Sequence, residues 1–149
     1  MADDSDVLIE FWKSQCDQAR QVENQRAILT NIVILVAAAG LGFIAQQGLR
    51  PSVLVVTVPM TLLGSYGALA CMKYRERNAL HNAQAVSLRK KLDALHPAVS
   101  IGAAWAEVQR DQLAKFPRLF RVRLFMLWVA LHTGIAMGGC LLSVWALLL

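Results

Sequence analysis

Apolar positions in this chain gather into three long stretches that contain no charged residue. The first lies between Arg26 and Arg50 and has 23 residues, the second lies between Arg50 and Lys73 and has 22, and the third runs from Leu124 to Leu149 and has 26. A helix that crosses the hydrocarbon core of a bilayer needs about 20 predominantly apolar residues. A soluble helix keeps one polar face toward water. The pattern predicts an all-α integral membrane protein with three transmembrane helices and a cytoplasmic helical stalk or bundle.

The remaining segments show helical periodicity. Residues 5–26 carry apolar positions at helical spacing and lead without a break into the first span, 27–47. The second span, 53–72, leads into a segment with a 4-3-4-3-4-3 seam, made of Tyr74, Asn78, His81, Ala85, Leu88, Leu92 and Leu95. A heptad seam favours pairing with another helix. We expect an antiparallel partner in residues 5–26, which have a similar length and run in the opposite direction.

A third polar helix is predicted over residues 101–115, with Ser100 as its candidate N-cap and Pro117 beyond its end. It completes a cytoplasmic helical hairpin over residues 73–116, after which the chain enters the third span, 124–149. We interpret residues 1–149 as a single membrane domain.

Charge gives the expected orientation. Residues 73–123 contain eleven of the 15 basic residues and four acids, and basic loops stay on the cytoplasmic side. The N-terminus is then cytoplasmic, whereas the turn at 46–52 and the C-terminus lie outside. The expected location is the bacterial inner (plasma) membrane, crossed several times.

Composition and motifs argue against an enzyme. The chain is 56% hydrophobic, with a mean hydropathy of +0.45. About 75 residues remain outside the spans, too few for a separate catalytic domain with a large core. Cys16, Cys71 and Cys140 are widely spaced and match no zinc or CxxC pattern. We therefore expect no catalytic residue, cofactor or metal, and no nucleic-acid partner.

The spans themselves contain candidate residues for assembly or for a pore. Ala130, Gly134 and Gly138 form a ridge of small residues that permits close helix approach, either between subunits or within one chain. The ionisable His132 either forms a structural hydrogen bond between helices or takes part in a pore, a gate or proton sensing. Polar or small faces that pack against helices or line a pore are predicted at Thr57, Thr61 and Gly64 of span two and at Asn31 of span one, which shares its face with Leu35, Ala38, Gly42 and Gln46.

Six basic residues lie near the predicted ends of the spans: Lys73, Arg75, Arg77, Arg118, Arg121 and Arg123. Anionic lipid headgroups attract basic residues close to a membrane. These six residues are the candidates for binding anionic lipid or another anionic ligand.

The order of the parts resembles a known family. A helix that ends in Val22-Glu23-Asn24-Gln25-Arg26 enters two close spans. A Tyr74-x-Glu76-Arg77 helix follows, with His81 and Arg89-Lys90-Lys91-Leu92. This layout over residues 5–97 is similar to SLATT-type bacterial defence effectors, which have two spans. The resemblance implies oligomers that permeabilise the inner membrane when a partner senses infection. The third span, 124–149, departs from that layout.

Two functional hypotheses follow. The first is an oligomeric inner-membrane effector or channel, with anti-phage defence as one setting, whose partners are copies of itself, membrane lipids and a sensor protein. The second is a membrane anchor or scaffold that does not conduct and whose cytoplasmic helices bind a partner protein.

Overall fold

The computed structural model describes residues 3–148, which form α-helices joined by short connections, with no β-strand in that range. Four α-helices follow one another: α1 is Asp4–Gln47, α2 is Leu54–Leu95, α3 is Ile101–Lys115 and α4 is Leu124–Leu148. Short 3-10 turns at Pro51–Val53 and Leu119–Arg121 lie before α2 and α4. The all-α prediction is confirmed.

Three of these helices, α1, α2 and α4, are long and apolar enough to cross a membrane. The 44 residues of α1 contain both the predicted helix 5–26 and the predicted span 27–47. The 42 residues of α2 likewise join most of the predicted span 53–72 to the segment 73–95, with Pro59 inside the helix. At about 1.5 Å per residue, α1 and α2 are each roughly twice as long as the hydrocarbon core is thick.

Contacts divide the chain into two compact units. The polar unit contains the described residues up to Glu23 together with Arg75–Arg123. The three-helix unit contains Asn24–Tyr74 and the described residues from Leu124 onward.

In the polar unit, the start of α1 pairs with the end of α2. The Ser5 hydroxyl lies 2.8 Å from His96 Nε2, and Asn78 donates a 2.7 Å hydrogen bond to Glu23 Oε1. Rising residue numbers on α1 therefore meet falling numbers on α2, and the pair is antiparallel, as predicted. Six of the seven predicted seam positions on α2 are buried or half-buried, and Leu95, at the end of the helix, is 51% exposed.

The helix α3 is held at its N-terminus. Both carboxylate oxygens of Asp93 accept 2.9 Å hydrogen bonds, one from the N–H of Ile101 and one from that of Gly102. Ser100 occupies the predicted N-cap position but does not cap through its side chain, because its hydroxyl donates to the carbonyl of Pro97 instead. Asp93 thus satisfies amides that the helix itself leaves without acceptors.

In the three-helix unit, α4 runs parallel to α1. Thr30 lies beside His132, an offset of 102 residues, and the same offset relates Ile44 to Ala146 in a buried cluster nearer the other ends of the helices. The helix α4 runs antiparallel to α2. A Cβ on Gly64 of α2 would meet Ala136 of α4, and the earlier residue Thr57 of α2 bonds to the later residue Ser143 of α4.

Candidate functional site

A buried histidine joins two helices in the three-helix unit. His132 on α4 is 0% exposed, and its Nε2 lies 3.1 Å from the hydroxyl of Thr30 on α1, which is also 0% exposed. The ring of His132 lies between α1 and α2, with Thr30 on one side and Gly67 on the other. A polar side chain this deep in an apolar unit is costly unless it has a hydrogen-bond partner.

Gly67 of α2 closes the other side of the ring. A Cβ built on Gly67 would lie 2.6 Å from His132 Cε1 and 2.8 Å from Cγ, and closest of all to Nδ1. Nδ1 is buried and has no hydrogen-bond partner among residues 3–148. A buried N–H without an acceptor is rare in proteins, whereas an acceptor without a donor is better tolerated. We therefore assign the proton of a neutral ring to Nε2, which donates to Thr30.

Thr30 connects the histidine to a third helix. The side chain of Thr30 also lies beside the thiol of Cys71 on α2. Cys71 is a free cysteine and is 0% exposed. The contacts of these three side chains therefore link α4, α1 and α2, and we call His132, Thr30 and Cys71 the polar clasp.

A cation lies one helical turn from the clasp. Arg26 of α1 is only 7% exposed, and its guanidinium lies 5.4 Å from the centroid of the Trp128 ring on α4. Trp128 precedes His132 by four residues and Arg26 precedes Thr30 by four, so the two contacts stack along the same pair of helices.

A second polar contact lies deeper along α2 and α4. The Ser143 hydroxyl is 2.7 Å from Thr57 Oγ1 and 2.8 Å from the carbonyl of Gly139. Thr61 donates a 3.0 Å bond to the Thr57 carbonyl. A Cβ on Gly139 would lie 2.8 Å from the Thr61 nitrogen and 2.9 Å from the Thr57 carbonyl oxygen. The two backbones are close enough that only glycine fits.

The structure therefore places the predicted residues in two groups. His132, Thr57, Thr61 and Gly64 face other helices of their own chain. Gly134 and Gly138 do not, because no atom among the described residues lies within 4 Å of a Cβ built on either glycine. Ala130, on the same ridge, is exposed.

Asn31, like Ala130, Gly134 and Gly138, faces away from the other helices of its own chain. It is exposed on α1, and its amide has no hydrogen-bond partner among residues 3–148. The six basic candidates, which are Lys73, Arg75, Arg77, Arg118, Arg121 and Arg123, are exposed as well. Arg118, Arg121 and Arg123 alternate with the exposed apolar residues Leu119, Phe120 and Val122.

Sequence reasoning missed Gly67, Thr30 and Cys71 as partners of His132. A signal for Thr30 was present, since the buried residues of α1 recur at intervals of three and four: Ala19, Val22, Arg26, Thr30, Val33, Ala37, Gly40 and Ile44. The pattern is hard to recognise in the sequence because Arg26, a charged residue, occupies one of these buried positions. Gly67 carries no signal of its own, because any glycine in a span permits close packing.

The chemistry of the site is packing and hydrogen bonding. Among residues 3–148, no three His, Cys, Asp or Glu side chains are grouped to hold a metal ion. Comparisons of the chain with protein-family models, curated proteins and solved structures found no match.

Proposed function

We propose that this protein is an oligomeric effector or channel of the bacterial inner membrane, in which several chains together build a path for ions or solutes. The helices α1, α2 and α4 cross the bilayer, and the basic residues of the polar unit keep that unit in the cytoplasm. The N-terminus is then cytoplasmic and the C-terminus lies outside.

The observation that carries this proposal is the division of polar residues between the inside and the outside of the three-helix unit. Thr30, Thr57 and His132 are fully buried, and glycines bring the helix backbones close together around them. Such packing leaves no aqueous path through one chain. Polar Asn31, by contrast, lies on an outward face without a partner among the described residues. A conducting path therefore has to lie between chains.

The polar unit supplies the surface on which a trigger acts. Its helix α3 buries none of its residues, and Trp105, Val108 and Leu113 are exposed. The resemblance to SLATT-type effectors supports a sensor protein as the partner and anti-phage defence as the setting. The exposed basic residues at positions 118, 121 and 123 would hold the segment before α4 against anionic headgroups, with Leu119 and Phe120 entering the interface.

Proteoliposomes test the proposal. The purified protein is reconstituted at a series of protein-to-lipid ratios, with and without the product of the neighbouring gene, and release of potassium and of a trapped dye is followed. Flux should rise more steeply than in proportion to protein density, because several chains form one path. Vesicles that contain oligomeric protein but pass neither solute under either condition would refute conduction.

A second function is favoured by α3 itself. An anchor that does not conduct and recruits a partner protein would need an exposed apolar surface outside the membrane. Trp105 provides such a surface, since it is 53% exposed while the Arg89 guanidinium lies 4.6 Å from its ring centroid. A monomer in mild detergent that binds a partner through α3 and gives no flux would support the anchor instead of the channel.

A further inference from the structure

We propose that the face of α1 made of Asn31, Leu35, Ala38 and Gly42 is the surface on which a second copy of this chain docks. This inference rests on the proposed membrane location and names the contact between subunits that oligomerisation requires. We call these four residues the amide face.

Asn31 lies inside the hydrocarbon region of the proposed span. It follows Arg26 by five residues, which is about 7.5 Å along a helix. Its neighbours Ile28, Ile32 and Leu35 are apolar and exposed, and Leu35 is 71% exposed. Lipid tails offer no hydrogen bond, so an amide at this depth is costly unless protein or water meets it.

Within residues 3–148, no group of its own chain forms a hydrogen bond with the Asn31 amide. At about 100° per residue, the amide face lies nearly opposite the buried seam that includes Thr30, Val33 and Ala37. Thr30 shows the contrast, since it is the residue before Asn31 and is both buried and hydrogen-bonded. The chain thus satisfies one of two adjacent polar side chains and leaves the other for an outside partner.

A second copy fits the chemistry of this face. An asparagine amide carries both donors and an acceptor, so two Asn31 side chains across a two-fold axis satisfy each other. Ala38 and Gly42 continue the face at four-residue spacing, and a Cβ on Gly42 would meet no atom within 4 Å. Small residues at that spacing let two helices approach closely enough for the amides to bond. The ridge of Ala130, Gly134 and Gly138 on α4 has no such polar group.

Disulfide crosslinking in membranes tests the contact. The background is C16S/C140S; Cys71 stays because it is 0% exposed. In that background, Ala38→Cys reports the amide face and Gly138→Cys reports the ridge on α4. Native Cys140, kept in a C16S variant, is an exposed control at the depth of Ala38, since 38 and 140 differ by the α1–α4 offset of 102.

We expect a crosslinked dimer from the Ala38→Cys variant, because the amide face brings the two copies of position 38 together. The Gly138→Cys variant and the Cys140 control should give little. A crosslinked dimer from Gly138→Cys, with none from Ala38→Cys, would overturn the inference.

The amide itself is tested by substitution. Asn31→Leu should weaken association in detergent roughly 3- to 30-fold, the range expected for one hydrogen bond between helices, and should reduce the crosslink of the Ala38→Cys variant. Asn31→Gln keeps an amide and should restore both. Equal association of all three proteins would contradict the inference. So would modification of the thiol in Ala38→Cys by a maleimide that is confined to water, because water would then be the occupant.

The outcomes separate this inference from the proposed function. A dimer that crosslinks in the Ala38→Cys variant but gives no flux in vesicles keeps the interface and refutes conduction. Flux that persists in Asn31→Leu with an unchanged oligomer keeps conduction and refutes the interface.

Discussion

Substituting alanine for Gly67 tests the packing around His132. The added methyl would lie 2.6 Å from Cε1 of a ring that is fully buried and bonded to Thr30. Carbon atoms pack at about 3.5–4.0 Å, so the ring or the helix must move by about 1 Å. Overpacking of this kind costs about 1–3 kcal/mol. Loss of the hydrogen bond to Thr30 adds about 0.5–1.5 kcal/mol. We expect Gly67→Ala to lower the free energy of unfolding by about 1.5–4.5 kcal/mol.

The measurement is equilibrium unfolding in mixed detergent, followed by circular dichroism. The matched control is Gly134→Ala, on α4, where a Cβ would meet no atom within 4 Å. Alanine is the better helix former by about 1 kcal/mol, so the control should be neutral or slightly stabilising.

A double-mutant cycle shows whether the ring is the cause. His132→Ala removes the ring and should itself be destabilising, since truncation of large buried side chains costs about 3–5 kcal/mol. Once the ring is gone, Gly67→Ala has room, and its additional cost should fall to about 1 kcal/mol or less. If Gly67→Ala unfolds like Gly134→Ala, or costs as much without the ring as with it, the contact described here is wrong.

Two further substitutions probe other contacts. Gly139→Ala should destabilise the protein by about 1–3 kcal/mol in the same unfolding measurement, because its Cβ would lie 2.8 Å from the Thr61 nitrogen. In the control Gly138→Ala, the Cβ would meet no atom within 4 Å, and the stability should not change. Equal effects of the two substitutions would contradict the packing of α4. Asp93→Ala should cost about 0.5–2 kcal/mol locally and increase hydrogen exchange at the first amides of α3, whereas Ser100→Ala should not, and the reverse pattern would assign the cap to Ser100.

Much of the fold follows from simple periodicity. Uncharged stretches of 22 to 26 residues have few alternatives to long helices, and three such helices are present among the described residues. The predicted bounds of α3, 101–115, agree with Ile101–Lys115, because Pro117 ends the pattern and the connection before it is short. The seam on α2 was also predictable, since an antiparallel partner of equal length lay in the N-terminal segment.

The internal face of α4 was not predictable in the same way. Gly134, Gly138 and Gly139 are all small, and sequence favoured the ridge of the first two. The structure packs Gly139 against Thr61, whereas a Cβ built on Gly138 would meet no atom of another described helix within 4 Å. These adjacent glycines differ because of the rotation of α4 about its axis, and the same rotation places His132 beside Thr30. A register set by a contact 102 residues away cannot be read from local spacing.

Thr30 and Asn31 are likewise adjacent on α1, yet only Thr30 is buried, and this difference bears on assembly. Adjacent residues on a helix differ by about 100°, so at most one of them lies at the centre of a packed face. A span selected only to fold against its own chain would carry an apolar residue at the outward position, as positions 28, 32 and 35 do. An amide there has no hydrogen-bond partner among the described residues of its own chain, and in the proposed bilayer it would cost free energy. Its presence is accounted for when the outward face of α1 meets another protein surface, which is why the proposed interface lies on α1 and not on the ridge of small residues that the sequence first suggests.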